Sequence, residues 1–215
     1  MKILSRGILI SLEGIDGSGK STLARNLHMH LANQGLDTIL TREPGGSALG
    51  KKLRTILQEK EVNVCDKAEF LLFAADRAQH FDELIVPALN ECKLVISDRM
   101  ADSSVVYQGY GRGLSIELIQ TINAWAMHNI KPDIIIYVQV PVEIALQRIT
   151  KRKEMLSSFE RERLDFTQRL IGGFEKLFHQ RHDVIIVDGQ LPADEVCEQA
   201  LSAVLKNIQA LHVIS

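Results

Sequence analysis

The chain has 215 residues and a formal net charge of −2, with 46% hydrophobic and 24% charged side chains. This length suits one α/β domain with a full hydrophobic core, and the composition is neither that of a disordered chain nor that of a fibrous protein. The slightly acidic balance argues against a general nucleic-acid binder, because such proteins usually carry a basic surplus.

Three cysteines, Cys65, Cys92 and Cys197, lie far apart and form no Cys-x-x-Cys pair. We therefore expect reduced thiols rather than disulfides or a zinc site. The longest apolar runs are strand-sized, and Arg6 interrupts the short apolar start of the chain. These features predict neither a membrane-spanning helix nor a signal peptide, and hence a cytoplasmic protein that contacts no membrane.

An apolar run over 8–13 predicts a buried strand that leads into a glycine-rich loop and then into a helix beginning near Lys20. The spacing in Gly14-Ile15-Asp16-Gly17-Ser18-Gly19-Lys20-Ser21-Thr22 matches the phosphate-binding P-loop. Glycines let backbone N–H groups turn toward phosphate oxygens, and the helix start adds its unpaired N–H groups. The pattern predicts that Lys20 binds the β- and γ-phosphates and that Ser21 binds Mg²⁺. A glycine-rich turn that binds nothing is the alternative, which the strand before it and the helix after it disfavour.

Strand and helix patterns alternate along the rest of the chain. Further strands are predicted at 37–41, 93–97, 133–139 and 183–188. Helices are predicted at 48–57 with Ser47 as a candidate N-cap, and at 66–85, 116–127, 141–150, 166–178 and 192–208. Glycines 109, 111 and 113 predict a loop, and the charged segment 151–163 predicts an exposed stretch. The alternation predicts a single α/β domain over residues 1–215, with a five-stranded parallel sheet covered by helices on both faces.

Charged residues follow the predicted strands at the sheet edge where ligands bind in such folds. Arg42 follows the second strand, and Asp98 and Arg99 follow the third. The position of Asp98 suits a Mg²⁺-orienting acid, although a helix-capping aspartate fits the same place. The forked guanidinium groups of Arg42 and Arg99 suit phosphate oxygens, whereas a solvated surface charge is the alternative for either arginine alone.

These motifs resemble those of the thymidylate kinase family over nearly the whole chain. The matching blocks are the P-loop, Thr41-Arg42-Glu43-Pro44-Gly45-Gly46, Phe73-Ala74-Ala75-Asp76-Arg77, Asp98-Arg99, Ser103-Ser104-Val105-Val106-Tyr107-Gln108-Gly109 and Lys131-Pro132-Asp133. The P-loop alone would indicate only a superfamily. The Arg-Glu-Pro-Gly-Gly block, with Tyr-Gln-Gly at the right distance, is much more specific.

The resemblance implies a P-loop NTPase fold with a mobile lid, and transfer of the γ-phosphoryl of ATP to dTMP to give dTDP for dTTP and DNA-precursor synthesis. By the family pattern, Lys20 and the loop amides hold the donor phosphates, while Ser21 and Asp98 serve Mg²⁺. Arg42 and Arg99 bind the dTMP phosphate, and Arg99 also bridges to the donor.

The resemblance also implies roles for residues around the sugar and the bases. Arg54 would assist at the acceptor phosphate, Asp16 would contact the 3′-hydroxyl, and Tyr107 would pack beneath the deoxyribose. Phe73 would stack on thymine, Arg77 would donate to the base carbonyl, and Ser104 and Gln108 would lie along the base edge. Arg148 would stack on adenine. Tyr107 would leave no room for a 2′-hydroxyl. Core packing is the alternative for Phe73 and Tyr107, and a surface position is the alternative for Arg148.

Two departures from the family pattern concern the residue after Asp98-Arg99 and the lid. Met100 stands where members commonly have Tyr, His or Phe, which we expect to alter packing rather than chemistry. Gly17 occupies the P-loop position at which some relatives have an arginine. Relatives without that arginine usually carry an Asp-Arg-Ile-Glu block in the lid, but this chain has Ser157-Ser158-Phe159-Glu160 at the aligned place. The basic residues around that segment are Lys151, Arg152, Lys153, Arg161 and Arg163, and one of them is expected to supply the missing charge.

The family further implies a homodimer, for which the apolar helix predicted at 66–85 is the candidate interface. Two other functions stay open at this point. One is a kinase for another nucleotide or for a deoxynucleoside, and the other is a GTPase-type switch or a P-loop binding module. The paired arginines favour a phosphorylated acceptor, and no Asn-Lys-x-Asp or Thr-Lys-x-Asp guanine motif follows any predicted strand.

Overall fold

The fold is a three-layer α/β arrangement around one parallel sheet. The computed structural model describes residues 4–58, 63–150, 160–179 and 181–211, with side chains from 164 onward in the third range. The strands are β1 (Ile8–Glu13), β2 (Thr38–Arg42), β3 (Leu94–Asp98), β4 (Ile134–Gln139) and β5 (Val184–Asp188). Their order across the sheet is β2-β3-β1-β4-β5, and all neighbours are parallel. The predicted five-stranded parallel sheet is therefore confirmed.

Helices connect the strands and cover both faces of the sheet. They are α1 (Lys20–Asn33), α2 (Ala48–Gln58), α3 (Asp66–His80), α4 (Val86–Asn90), α5 (Ala101–Ser104), α6 (Ile116–Ala126), α7 (Val142–Thr150), α8 (Glu160–Phe178) and α9 (Ala193–Ala210). Two π-helical turns, Phe81–Ile85 and Val105–Gly111, continue α3 and α5. In the described part of the chain, no helix is both long and apolar enough to cross a membrane.

Strand side chains alternate between the two faces of the sheet, and each face has its own apolar core. Ile8, Ile10 and Leu12 of β1 pack with α1 and α9 on one face. Leu9 points to the other face and packs with Phe81 of the π-helical turn. Since Ser11 and Glu13 share the face of Leu9, the polar end of β1 lies on the side of the sheet that carries α3 and α5.

Two details of the predicted elements are wrong. Gly109 and Gly111 belong to a π-helical turn rather than to a loop, and only Gly113, with φ +78°, ends it. These two glycines serve close packing, because a Cβ on Gly111 would lie 2.8 Å from the ring of Phe166 in α8. The helix predicted at 66–85 is α-helical only to His80 and then widens into the first π-helical turn.

The lid predicted at 151–163 falls mostly outside the described residues. Residues 151–159 lie outside the structure's description, and α8 begins at Glu160, so the end of the predicted exposed stretch is helical instead. The side chains of Arg161 and Arg163 are likewise outside the described set.

Candidate active site

The P-loop connects β1 to α1 at the C-terminal edge of the sheet. Gly14, Gly17 and Gly19 all have positive φ, at +145°, +81° and +103°. Side chains would also collide at the first two, since a Cβ on Gly14 would lie 2.7 Å from the Val138 carbonyl oxygen and one on Gly17 would lie 2.4 Å from that of Ala145. The loop therefore has the tight, amide-lined geometry that accommodates phosphate at a helix start.

Lys20 and Ser21 open α1 directly beneath this loop. Lys20 is buried and donates from Nζ to the Ile15 carbonyl oxygen at 2.9 Å. Burial, followed by repulsion from Arg99, lowers the pKa of Lys20 to about 7. The Ser21 hydroxyl donates to Asp98 Oδ2 at 2.5 Å, which brings these two sequence-predicted metal ligands together.

The strand register explains why residues distant in sequence meet here. Arg42 at the end of β2 pairs with Asp98 at the end of β3, and Asp98 pairs with Leu12 of β1. Arg99 follows with φ +75°, a left-handed conformation that is unusual for a residue other than glycine. This backbone conformation turns the Arg99 side chain toward the P-loop.

The Arg99 guanidinium contacts both the P-loop and the helix that begins at Ala101. Its Nη1 donates to the Gly14 carbonyl oxygen at 2.8 Å and to Ser103 Oγ at 2.9 Å, whereas Nη2 donates to Asp16 Oδ1 at 2.5 Å and to the Tyr107 hydroxyl at 3.0 Å. The cation lies 4.9 Å from the centroid of the Tyr107 ring. Arg99 in turn lowers the pKa of Asp16 below its usual range.

Two adjoining cavities share the Arg99 side chain. The first cavity, of about 480 Å³, is lined by five basic and three acidic side chains, namely Lys20, Arg25, Arg42, Arg54, Arg99, Asp16, Glu43 and Asp98. The second cavity, of about 220 Å³, is lined by Asp16, Arg54, Phe73, Arg77, Arg99, Ser104, Tyr107 and Gln108 among others. All the residues predicted for the acceptor sugar and base thus surround one space, which opens beside a strongly basic one.

A third cavity, of about 360 Å³, lies on the other side of the P-loop. Gly17, Ser18, Gly19 and Thr22 line it together with Arg148 of α7. The Arg148 Nη1 donates to the carbonyl oxygens of Gly189 at 2.8 Å and Ser18 at 3.3 Å, so its guanidinium is held against the loop rather than extended into solvent.

The family model described as thymidylate kinase matches residues 12–200. A thymidylate kinase from Halothermothrix orenii is 42% identical, with 89% of this chain and 93% of that protein covered. One from Kosmotoga olearia is 39% identical, with 95% and 98% covered. The crystal structure of thymidylate kinase from Ehrlichia chaffeensis superposes with a TM-score of 0.78 at 28% identity, covering 93% of this chain and 99% of that one.

The chain belongs to the thymidylate kinase family. It is accordingly an enzyme of the phosphotransferase class. The resemblance inferred from the sequence motifs is confirmed by both kinds of comparison.

Arg77 has a more internal position than its predicted contact with a base carbonyl suggests. It is 1% exposed and donates from Nε to Glu43 at 2.8 Å, from Nη1 to Asn123 at 2.6 Å, and from Nη2 to Ser104 Oγ and the Met100 carbonyl oxygen, both at 3.2 Å. Arg77 therefore ties α3 to Glu43 in the loop after β2 and to the segment after β3.

Two further carboxylates lie at this site, and the sequence analysis assigned a role to neither of them. Glu13 is fully buried and accepts from the Met100 N–H at 3.0 Å and from the Ser103 hydroxyl at 2.5 Å. Burial and repulsion by Asp102 raise the pKa of Glu13 to about 7. Glu69 accepts from the Gln108 amide at 2.8 Å. Its position four residues before Phe73, on the same face of α3, is a sequence signal that could have identified it.

Proposed function

We propose that this chain transfers the γ-phosphoryl group of ATP to dTMP, with the first and second cavities holding the two reacting phosphates and the thymidine moiety. The observation that carries the proposal is the position of Arg99, which lines both cavities and donates to the P-loop and to Tyr107. Family membership supplies the reaction class, and Arg99 gives that reaction a common point between donor and acceptor.

On the donor side, the P-loop amides and Lys20 bind the β- and γ-phosphates of ATP. Lys20 is held inward by the Ile15 carbonyl oxygen, and phosphate is a stronger partner for its ammonium group than that oxygen. Phosphate also raises the pKa of Lys20 from its lowered value, because an anion favours the charged form. The third cavity, with Arg148, takes the adenine.

The Ser21 hydroxyl and the Asp98 carboxylate fit a Mg²⁺ ion that accompanies ATP. Both are hard oxygen donors, and they are already within hydrogen-bonding distance of each other. Among the described residues, no group of three or more His, Cys, Asp and Glu side chains could hold a metal. A Mg²⁺ site built from one or two protein oxygens and the substrate phosphates suits that arrangement, and such an ion neutralises charge on the transferring phosphoryl group.

On the acceptor side, Arg42 and Arg54 bind the dTMP phosphate in the first cavity. Burial, followed by repulsion from Arg42, lowers the pKa of Arg54, as expected for two neighbouring cations at an anion-binding position. Asp16 accepts the 3′-hydroxyl and Tyr107 supports the deoxyribose. Phe73 stacks on thymine, and Arg77, Ser104 and Gln108 face its polar edge.

Arg99 has the central role in this scheme, because two anionic phosphates must approach in line for transfer. Its four hydrogen bonds hold the guanidinium in one position. A preorganised cation between the two phosphates lowers the electrostatic barrier without further reorganisation.

We also propose that the enzyme acts in the cytoplasm as a homodimer. Cys65, Cys92 and Cys197 are all free thiols, which suits a reducing compartment. Large apolar side chains are exposed on neighbouring helices, with Leu71 of α3 exposed by 54% and Trp125 of α6 by 79%. Burial of these side chains against a second copy would remove them from water. Analytical ultracentrifugation of Trp125→Ala against wild type tests this, and an unchanged sedimentation coefficient would exclude that contact.

The experiment that tests the reaction is a coupled ADP-release assay with ATP and Mg²⁺ over dTMP, dUMP, UMP, CMP, AMP, GMP and thymidine. We expect the highest kcat/KM on dTMP, weaker turnover on dUMP and little on UMP, because Tyr107 occupies the space a 2′-hydroxyl would need. Preferred turnover of another nucleotide, or of thymidine, would refute the dTMP assignment. Tight GTP binding with transfer to none of these acceptors would indicate a nucleotide-binding switch instead.

A further inference from the structure

The amide of Gln108 has only one orientation that satisfies its neighbour. Gln108 is 3% exposed and lines the second cavity, and its Nε2 lies 2.8 Å from Glu69 Oε1. A carboxylate can accept hydrogen bonds but cannot donate them, so the amide must present its NH₂ group to Glu69. The amide oxygen is therefore directed away from Glu69.

Glu69 is itself held in place from its other oxygen. Arg112 Nη2 donates to Glu69 Oε2 at 3.1 Å, while Oε1 receives the Gln108 amide. Since a guanidinium group stays protonated at any physiological pH, it always presents a donor to Glu69. Arg112 and Gln108 consequently both donate to Glu69, and neither hydrogen bond can be reversed.

The Gln108 oxygen has no partner within the described protein. Nε2 makes the hydrogen bond of this amide. Among the described residues, the side-chain atoms that are buried from solvent and lack a hydrogen-bond partner are Ser11 Oγ, Ser18 Oγ and Asp76 Oδ2. The oxygen of Gln108 is outside that group, so it reaches accessible space, and the accessible space next to this side chain is the second cavity.

The same face of α3 provides the rest of that cavity wall. Glu69, Phe73 and Arg77 are spaced four residues apart, and Phe73 and Arg77 line the cavity with Gln108. Arg77 is a pure donor, and a fixed Gln108 oxygen is a pure acceptor. A donor beside an acceptor matches the C4 carbonyl and the N3–H of thymine, whereas cytosine carries an amino group and a bare N3 at those positions.

We propose that Glu69 is a specificity-determining positioning residue, which locks Gln108 so that its oxygen accepts the N3–H of a pyrimidine imide and rejects cytosine. This inference rests on the proposed function, because it assumes that the second cavity takes the pyrimidine. Glu69 contacts no substrate and acts through Gln108. Without it, the amide can rotate and offer either its oxygen or its NH₂ group to the base.

The test is the affinity of Glu69→Gln for two ligands of the same shape, dTMP and 5-methyl-dCMP, measured by isothermal titration calorimetry. The new amide can accept from Arg112 with its oxygen and donate its NH₂ group toward Gln108, so Gln108 is no longer forced to keep its own oxygen directed at the cavity. We expect the ratio of the Kd for 5-methyl-dCMP to the Kd for dTMP to fall about tenfold or more. One hydrogen bond to an unmatched buried group changes affinity by roughly ten- to a hundredfold. Glu69→Ala should reduce the ratio similarly, while the Kd for ATP stays unchanged.

A matched control lies further along the helical segment, where Gln79 Nε2 donates to Glu83 Oε1 at 2.6 Å on the exposed surface. Glu83→Gln makes the same change to the same kind of contact outside all three cavities, and its ratio should equal that of wild type. If Glu69→Gln weakens both ligands equally, or leaves their ratio within twofold of wild type, the positioning role is refuted.

Turnover of dTMP by the wild-type enzyme is measured on the same preparation, which separates the two claims. Wild-type selectivity for dTMP binding that collapses in Glu69→Gln, without any phosphoryl transfer, would refute the proposed function and support the positioning role. Turnover of dTMP by wild type, together with an unchanged ratio in the variant, would support the proposed function and refute the positioning role.

Discussion

Glu43 is a buried carboxylate that joins the loop after β2 to helix α3. Its Oε2 lies 2.8 Å from both Nε and Nη2 of Arg77, and its Oε1 lies 3.2 Å from His80 Nδ1. Glu43 is 4% exposed, Arg77 is 1% exposed and His80 is fully buried. The substitution Glu43→Gln keeps the shape of the side chain and removes only its charge.

The expected cost follows from what remains after the substitution. Arg77 keeps its buried charge but loses the carboxylate that contacts it, and removal of one partner from a buried ion pair costs about 3–5 kcal/mol. That is a large share of a total stability of roughly 5–15 kcal/mol. For a chain of this size, each kcal/mol lowers Tm by about 2–4 °C, so we expect a decrease of roughly 6–20 °C.

The cost should also depend on pH in a defined direction. Burial alone would raise the pKa of Glu43, but Arg77 and His80 outweigh burial and hold that pKa below its ordinary value of 4.5. The unfolded chain therefore takes up the proton more readily than the folded one. The stability contributed by Glu43 is fully present above pH 4.5 and is lost as the pH falls through the lower, folded pKa.

The assay is urea unfolding of wild type and Glu43→Gln, followed by circular dichroism at pH 7 and again near pH 3.5. The control is Glu91→Gln, which breaks the 2.6 Å pair with Lys93 at a position where Glu91 is 62% exposed. That variant should lose less than about 0.5 kcal/mol, because exposed pairs contribute little. A loss below about 1 kcal/mol for Glu43→Gln at pH 7, or a loss that does not shrink in acid, would refute the reasoning.

Three further outcomes are expected. Arg99→Lys keeps the charge but loses the forked guanidinium group, so the rate in single-turnover assays should fall about 10²- to 10³-fold while the circular dichroism spectrum stays unchanged. A decrease below threefold would exclude Arg99 from stabilising the transition state. Ser21→Ala should raise the Mg²⁺ concentration for half-maximal activity about tenfold or more, and an unchanged requirement would exclude that ligand. Glu13→Gln should gain stability relative to wild type as the pH rises from 5 to 8 in urea titrations. The folded pKa of Glu13 is raised to about 7, so its contribution is lost over that interval, and a constant difference would contradict the raised value.

Local patterns made the donor half of this site predictable. The strand over 8–13, the spacing of Gly14 and Gly19, and the charged residues after β2 and β3 are each defined by a few adjacent residues. Ser47 is equally local, and its Oγ accepts from the Gly50 N–H at 2.9 Å as predicted for an N-cap. Such features depend on backbone sterics and hydrogen bonds that the sequence alone specifies.

Contacts that join distant parts of the chain could not be predicted in the same way. Glu13 meets Ser103 across 90 residues, and Glu69 meets Gln108 across 39. The spacing of Glu69 and Phe73 can place Glu69 on the cavity face of α3, but it does not identify Gln108 as the partner of Glu69, and no local pattern encodes the contact of Glu13 with Ser103. Both contacts arise only when the sheet register and the packing of α3 are fixed. The glycines at 109 and 111 misled for a related reason, since they allow the close approach of Ile116 and Phe166, respectively, and do not form a turn.

The backbone at Arg99 connects these long-range contacts to catalysis. A left-handed conformation costs a residue other than glycine about 1–2 kcal/mol, so φ +75° persists only where neighbours enforce it. Two backbone contacts enforce it: the Arg99 N–H donates to the Leu12 carbonyl oxygen at 3.0 Å, and the next N–H, of Met100, donates to Glu13. Glu13 also receives the hydroxyl of Ser103, whose oxygen accepts from the Arg99 guanidinium. Glu13 thus holds both the left-handed backbone at Arg99 and, through Ser103, the guanidinium that we place between the two phosphates.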